Sequence, residues 1–183
     1  MAATQAERYP WFESVHTTDL QQGDLLEGCP IFRPSSSLVT GGSPVTITVH
    51  RLAGIIITQS CDLAIRADGQ CHCKEVLFCP VYSRGELAND AIFGRKSAWE
   101  EARKGRLPGY HVLNRCDLPG REREFMLVDF SRVFTADVFL VRELAAGHGP
   151  RLRLNPPYRE HLAQAFARFF MRAGLPVDIP RFR

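Results

Sequence analysis

The sequence has no long hydrophobic run. Its densest aliphatic stretch is Ile55 to Ile57 within GIIITQS, far short of the roughly 20 apolar residues that a membrane-spanning helix needs. The opening residues MAATQAERYPWFESVHTTDL carry acidic groups and no apolar core, so they cannot act as a secretory signal. These two absences predict a cytoplasmic protein with no membrane partner. A glycine-rich phosphate loop is missing as well: neither Gly41-Gly42 nor Gly147-His148-Gly149 has the neighbouring lysine and helix start of a nucleotide site. Repeats, low-complexity tracts and interdomain linkers are also absent from the chain.

What is present suits one globular domain. The 183 residues are 45% hydrophobic and 23% charged, enough to bury a core but too few to make two ordinary domains. In a reducing compartment the six cysteines are free thiols or metal ligands rather than a disulfide scaffold. The formal charge of +3 is unevenly placed: between Arg151 and Arg183 seven arginines face only Glu160 and Asp178, a net +5 against −2 for the rest. Such asymmetry fits an acidic partner, nucleic acid included, and equally a solvated arginine face on a helix. Arg168 and Arg172, neighbours at i, i+4, are the candidate nucleic-acid contacts.

The pattern of apolar residues predicts an α+β fold within a single domain, 1–183. It divides into an N-terminal extension over about 1–18, a strand-rich body over 19–142 and a C-terminal helix over 155–174. VTITVHR, from Val45, alternates and is rich in β-branched residues, whereas GIIITQS, from Gly54, suits a strand buried on both faces. Asp68-Gly69 is the best hairpin signal, and EVLFCPVY returns from it with a bend or edge at Pro80. Ser97 to Lys104 begins with a capping box, Ser97 with Glu100, and predicts a short middle helix. Tyr110 to Leu113, Glu124 to Asp129 and Asp137 to Val141 are further strand candidates. The final helix has Asn155 as N-cap, Gly174 past its end, and one stripe of Tyr158, Leu162, Phe166, Phe169, Phe170 and Ala173. That stripe predicts core packing.

Three segments in order, Gly23-Asp24-Leu25-Leu26, the strand ending in Ile57-Thr58, and Leu77-Phe78-Cys79-Pro80-Val81-Tyr82-Ser83, resemble the PemK/MazF-like barrels over residues 20–85. The resemblance implies an SH3-like barrel and, for active members of the family, a metal-free endoribonuclease. The family's arginine falls on Leu52, with Arg51 beside it, and its threonine falls on Tyr82, with Ser83 next. Both phosphate-stabilising residues are therefore displaced. The segments TQSCDL from Thr58 and PYREH from Pro157 are similar to those of a group of bacterial proteins, which implies a bacterial host.

Cys61, Cys71, Cys73 and Cys79, with His72 between two of them, lie close in sequence. A hairpin could bring them into a tetrahedral zinc site, with His72 as the alternative fourth ligand. Alternation puts Cys71 and Cys73 on one side of an extended strand, while Cys79 within VLFCPV also suits plain core. Cys61 is the candidate nucleophile, with His50, His72 or His111 as base, although Asp62 beside it disfavours a thiolate. Asp62 serves equally well as a turn cap. The sequence thus points first to a non-catalytic module that binds nucleic acid or a protein partner. The alternatives are a divergent endoribonuclease, a cysteine-dependent hydrolase, or a structural partner subunit.

Overall fold

Period-two alternation in the middle of the chain sets the layers. Ile55 and Ile57 enter one core cluster while Ile56 enters another, and Cys79 and Val81 separate from Val76 and Phe78 in the same way. A strand that buries both faces needs a cover on each side of its sheet. The computed structural model describes residues 10–41, 46–67 and 69–171 and supplies those covers.

Among the described residues eight strands are formed: β1 (Phe12–Val15), β2 (Leu25–Pro34), β3 (Ile47–Ile56), β4 (Glu75–Ser83), β5 (Tyr110–Leu113), β6 (Met126–Asp129), β7 (Phe134–Asp137) and β8 (Arg151–Leu154). The helices are α1 (Ser37–Thr40), α2 (Ser60–Leu63), α3 (Lys96–Arg103), α4 (Val138–Gly147) and α5 (Tyr158–Phe170). The main sheet is antiparallel in the order β2-β3-β4-β6-β5, and β7 continues the line of β6 along β4. Residues 130–133, which belong to no strand, separate those two. β1 and β8 form a separate two-stranded ribbon. The fold is mixed and strand-rich, and its sheet is not closed into a barrel, because β2 and β5 do not pair among the described residues. None of the described helices is long and apolar enough to cross a membrane.

One face of the sheet is covered by the β1–β8 ribbon and by α5. Phe12, Leu152, Leu154 and Leu162 meet Ile55, Val81, Val128 and Phe130 there, and Trp11 stacks on Tyr158 with ring centroids 3.9 Å apart. The opposite face is covered by α4, whose Val138, Val141 and Ala145 pack on Ile56, Val76 and Phe78. α3 closes the β5–β6 end through Trp99, Phe93 and Leu127. Gly54 on β3 has no room for a side chain: a Cβ there would stand 2.9 Å from the Phe78 ring.

Several local expectations change. Asp137 to Val141 is not one strand: β7 ends at Asp137, whose carboxylate caps α4 by accepting from the N–H groups of Phe139 and Leu140. The expected N-terminal extension contributes β1. VTITVHR and GIIITQS fuse into the single long strand β3. The Ser97–Glu100 capping box does not form, since α3 starts at Lys96 with no side-chain cap and Glu100 pairs with Arg103 instead. Asn155 is not the N-cap of α5; its side chain donates to the Pro10 carbonyl while its own carbonyl accepts from Tyr158 and Arg159. Asp68, Ala173 and Gly174 lie outside the described residues.

β8 reads RLRL and is buried at all four positions, which polarity alone forbids. The explanation is Asp24, fully buried between the two arginines. Arg151 Nε donates to Oδ2 at 2.8 Å and Arg153 Nε to Oδ1 at 2.5 Å. The remaining guanidinium hydrogens reach the carbonyls of Thr17 (2.6 Å) and Asp19 (2.7 Å from Arg153), and the N–H of Gln21 donates to Asp24 Oδ2. Two arginines of the basic C-terminal region are therefore internal.

Asp24→Ala leaves two guanidiniums buried without a counter-charge and is expected to destabilise the chain by about 3–5 kcal/mol. Leu162, 0% exposed on α5, should cost about 2–5 kcal/mol on change to alanine. Phe170, 57% exposed on the same helix, should cost under about 1 kcal/mol. Urea unfolding of the three variants tests this order.

Candidate functional site

The anticipated cysteine site does not assemble as a set. Cys71 and Cys73 stand together, their sulfurs 3.8 Å apart, with Cys71 also donating to the Asp62 carbonyl. Cys61 is exposed on α2, its thiol facing the oxygens of Gln59 (3.7 Å) and Asp62 (3.8 Å). His72 turns its ring to the Arg66 guanidinium. Cys79 lies in the core under the β1–β8 ribbon, whereas Cys71 and Cys73 pack against the α4 side. Among the described residues no group of three or more His, Cys, Asp or Glu side chains converges as a metal site. Burial above all pushes the Cys79 thiol up to about 12, with Asp129 adding to it. Burial, and the hydrogen bond the Cys73 thiol donates to Cys71, push Cys73 up to about 11. Both thiols are protonated at neutral pH, the wrong state for nucleophilic attack.

Of the histidines considered as a base for Cys61, His111 sits on β5, with β4 and β6 intervening between that strand and β3, which leads into α2. The polar residues around it have structural partners: Thr58 accepts from the Leu77 N–H and Ser60 from the Gln22 N–H.

A different group of residues comes together at the far edge of the sheet. Tyr110, His111 and Val112 of β5 form the floor of a cleft of about 390 Å³. His161, Gln164, Ala165 and Arg168 wall it from α5, and Arg103, Lys104 and Gly105 from the end of α3. The α5 residues recur at i, i+3, i+4 and i+7, one stripe of the helix. Tyr158, Leu162, Phe166 and Phe169 lie on the neighbouring stripe and pack on the core, so anchoring one side of α5 presents the other to the cleft.

Among the described residues no acidic side chain lines this cleft. Arg103 and Lys104 pair with Glu100 and Glu101 outside it, at 2.8 and 3.7 Å, with all four side chains substantially exposed, and such pairs are weak enough for an anion to compete. Arg168 makes no ion pair among the described residues. Of the two arginines the sequence nominated, Arg168 is thus in the cleft, while Arg172 lies outside the described residues.

His111 is the anomaly of the site. Its Nε2 is the sole buried side-chain polar atom without a hydrogen-bond partner among the described residues, and its ring lies near-parallel to Phe130 at 6.1 Å. Burial first, then the charge of His161, pull its pKa from 6.5 down to about 4, so it is neutral at physiological pH. The sequence reading passed over His161 and named His111 only as a candidate base for Cys61. The available signal was the i+7 spacing of His161 and Arg168 on the polar side of a well-marked helix.

Compared with protein-family models, with curated proteins and with solved structures, the chain matches none.

Because His111 is held neutral when folded but titrates near 6.5 when unfolded, the unfolded chain binds the extra proton between those values. Stability should be complete above about pH 6.5 and fall as pH drops toward 4, by on the order of 2–3 kcal/mol. Melting temperatures of the native chain and of His111→Gln across that range check this: the variant's profile should be flatter.

Proposed function

We propose that this chain is a non-catalytic interaction module that takes an anionic partner, nucleic acid or protein, in the cleft between β5, α3 and α5. The observation that carries this reading is the charge of the lining: Arg168, Arg103 and Lys104 face it, with no carboxylate among the described lining residues. A concave site with one sign of charge concentrates oppositely charged ligands.

A second reading, a divergent PemK/MazF-like endoribonuclease on a barrel-related body, is favoured by one observation. Arg51 and Ser83, the residues next to the family's catalytic positions, line a single groove of about 300 Å³ together with Arg123, Glu27 and Glu86. Arg123 is engaged by Glu27 at 3.4 Å, and Ser83 is held in a turn by reciprocal bonds with Glu86. The balanced charge of that groove makes it the weaker anion site.

Binding of a fluorescent single-stranded oligonucleotide and of polyglutamate, measured by anisotropy at low salt, tests the first reading. Arg168→Ala and Lys104→Ala should each weaken binding about three- to tenfold and lower the slope of log affinity against log salt. Arg33→Ala, exposed on β2 away from the cleft, should change neither. If neither probe binds, the reading fails. Cleavage of RNA by the native chain, lost in Arg51→Ala, would replace it with the second.

A further inference from the structure

The floor of the cleft is more than a wall of side chains. Among the described residues β5 pairs with β6 alone, and the hydrogen bond from the Phe130 N–H to the Gly109 carbonyl sets the phase of that ladder. Residues paired directly across an antiparallel ladder alternate between bonding each other and facing outward. With Gly109 bonded to β6, His111 and Leu113 also bond it, and Tyr110 and Val112 turn their backbone groups to the open side. The other side of β6 agrees: the Arg84 N–H donates to the Phe125 carbonyl, which directs the odd-numbered residues of β6 to β4 and leaves the even-numbered ones for β5. The outward N–H of Tyr110 is taken by the Leu107 carbonyl. The Tyr110 carbonyl and both backbone groups of Val112 have no partner among the described residues.

An open strand edge invites another strand unless it is blocked. The opposite edge of the sheet is blocked: β2 carries Pro30 and Pro34, which have no N–H, and its pairing with β3 is irregular between Leu26 and Cys29. β5 carries neither proline nor bulge. Its edge lies at the bottom of a trough between α5 and the end of α3, and the trough is cationic.

Taking the cleft as the binding site proposed above, we infer that its occupant is an extended, acidic segment of a partner protein that adds to β5 as a further antiparallel or parallel strand. Strand addition supplies backbone hydrogen bonds to Val112 and Tyr110, and pockets on either side read alternate side chains. Glutamate or aspartate at alternate positions meets Arg168 and His161 on the α5 side. The intervening side chains rest on the α3 side, near Tyr110. A nucleic acid could use the same cations but has no strand of amides to satisfy Val112. The four residues of β5 span about 13 Å, so the pairing is short and the contact reversible.

The probe is a labelled peptide of about eight residues alternating glutamate and valine, titrated with the full chain, beside the same peptide N-methylated at every second residue. The unmodified peptide should bind, and the methylated register that faces β5 should bind at least about tenfold more weakly. Arg168→Glu should weaken the unmodified peptide by about tenfold or more. The Val112 amide should gain protection from hydrogen exchange in the complex. Equal binding of both methylated registers and the parent overturns strand addition while leaving a cationic cleft. Binding of the single-stranded oligonucleotide but not of the peptide overturns it in favour of nucleic acid. If neither binds in a way that Arg168→Glu alters, the cleft itself is not the site, and both readings fall.

Discussion

The architecture depends on one buried carboxylate. Asp24 stands just ahead of β2, and its two oxygens are shared between arginines more than 120 positions later in the chain. The arginines in turn collect carbonyls of Thr17 and Asp19, so a single acidic group orders the N-terminal turn, β8 and the start of β2 together. Gly23 makes the approach possible: its φ of +85° and the 3.0 Å that would separate a Cβ from Leu154 leave no place for a side chain. Its N–H donates to the Ile56 carbonyl and its carbonyl accepts from the Leu154 N–H, which stitches the ribbon to the main sheet.

Buried ion pairs of this kind add little net stability, since desolvation offsets the attraction, but leaving one partner alone is costly. The cluster therefore acts mainly by excluding alternatives. Any arrangement that failed to bring both guanidiniums to Asp24 would strand a charge in the core. The direction of α5 follows from it, because β8 leads through Asn155 directly into that helix. Arg159 on its first turn reaches back to Gln21 at 3.1 Å, and the Trp11–Tyr158 stack holds the same corner. The cleft wall formed by His161, Gln164 and Arg168 is in this sense positioned from the opposite end of the helix.

Much of the body was legible in the residues. The β-branched alternation marked β3, the aliphatic run marked its buried part, and the apolar stripe of α5 named Leu162 and Phe166 as core contacts. What could not be read was β8, because Arg-Leu-Arg-Leu resembles a wet strand or a basic patch until its distant counter-charge is known. α4 was hidden for another reason: Val138, Phe139, Leu140 and Val141 have strand-like propensity, and only the Asp137 cap with the later Glu143 and alanines favours a helix. The cysteine spacing was equally ambiguous, since alternation correctly put Cys71 beside Cys73, while Cys79 sits on the far face of the sheet. The cleft depends on the edge position of β5, a property of topology that no local pattern encodes.

The ribbon of β1 with β8 has a consequence for the order in which the protein can be made. Phe12 pairs with Leu154, so β1 must wait for a strand made about 140 residues later. Until Arg151 and Arg153 emerge, Asp24 keeps its water and the β3–β4 face has neither ribbon nor α5 over Ile55 and Val81. Contacts this distant in sequence are slow to close. A nascent chain stalled before β8 would present that apolar face to chaperones, and the emergence of β8 and α5 would be the step that covers it.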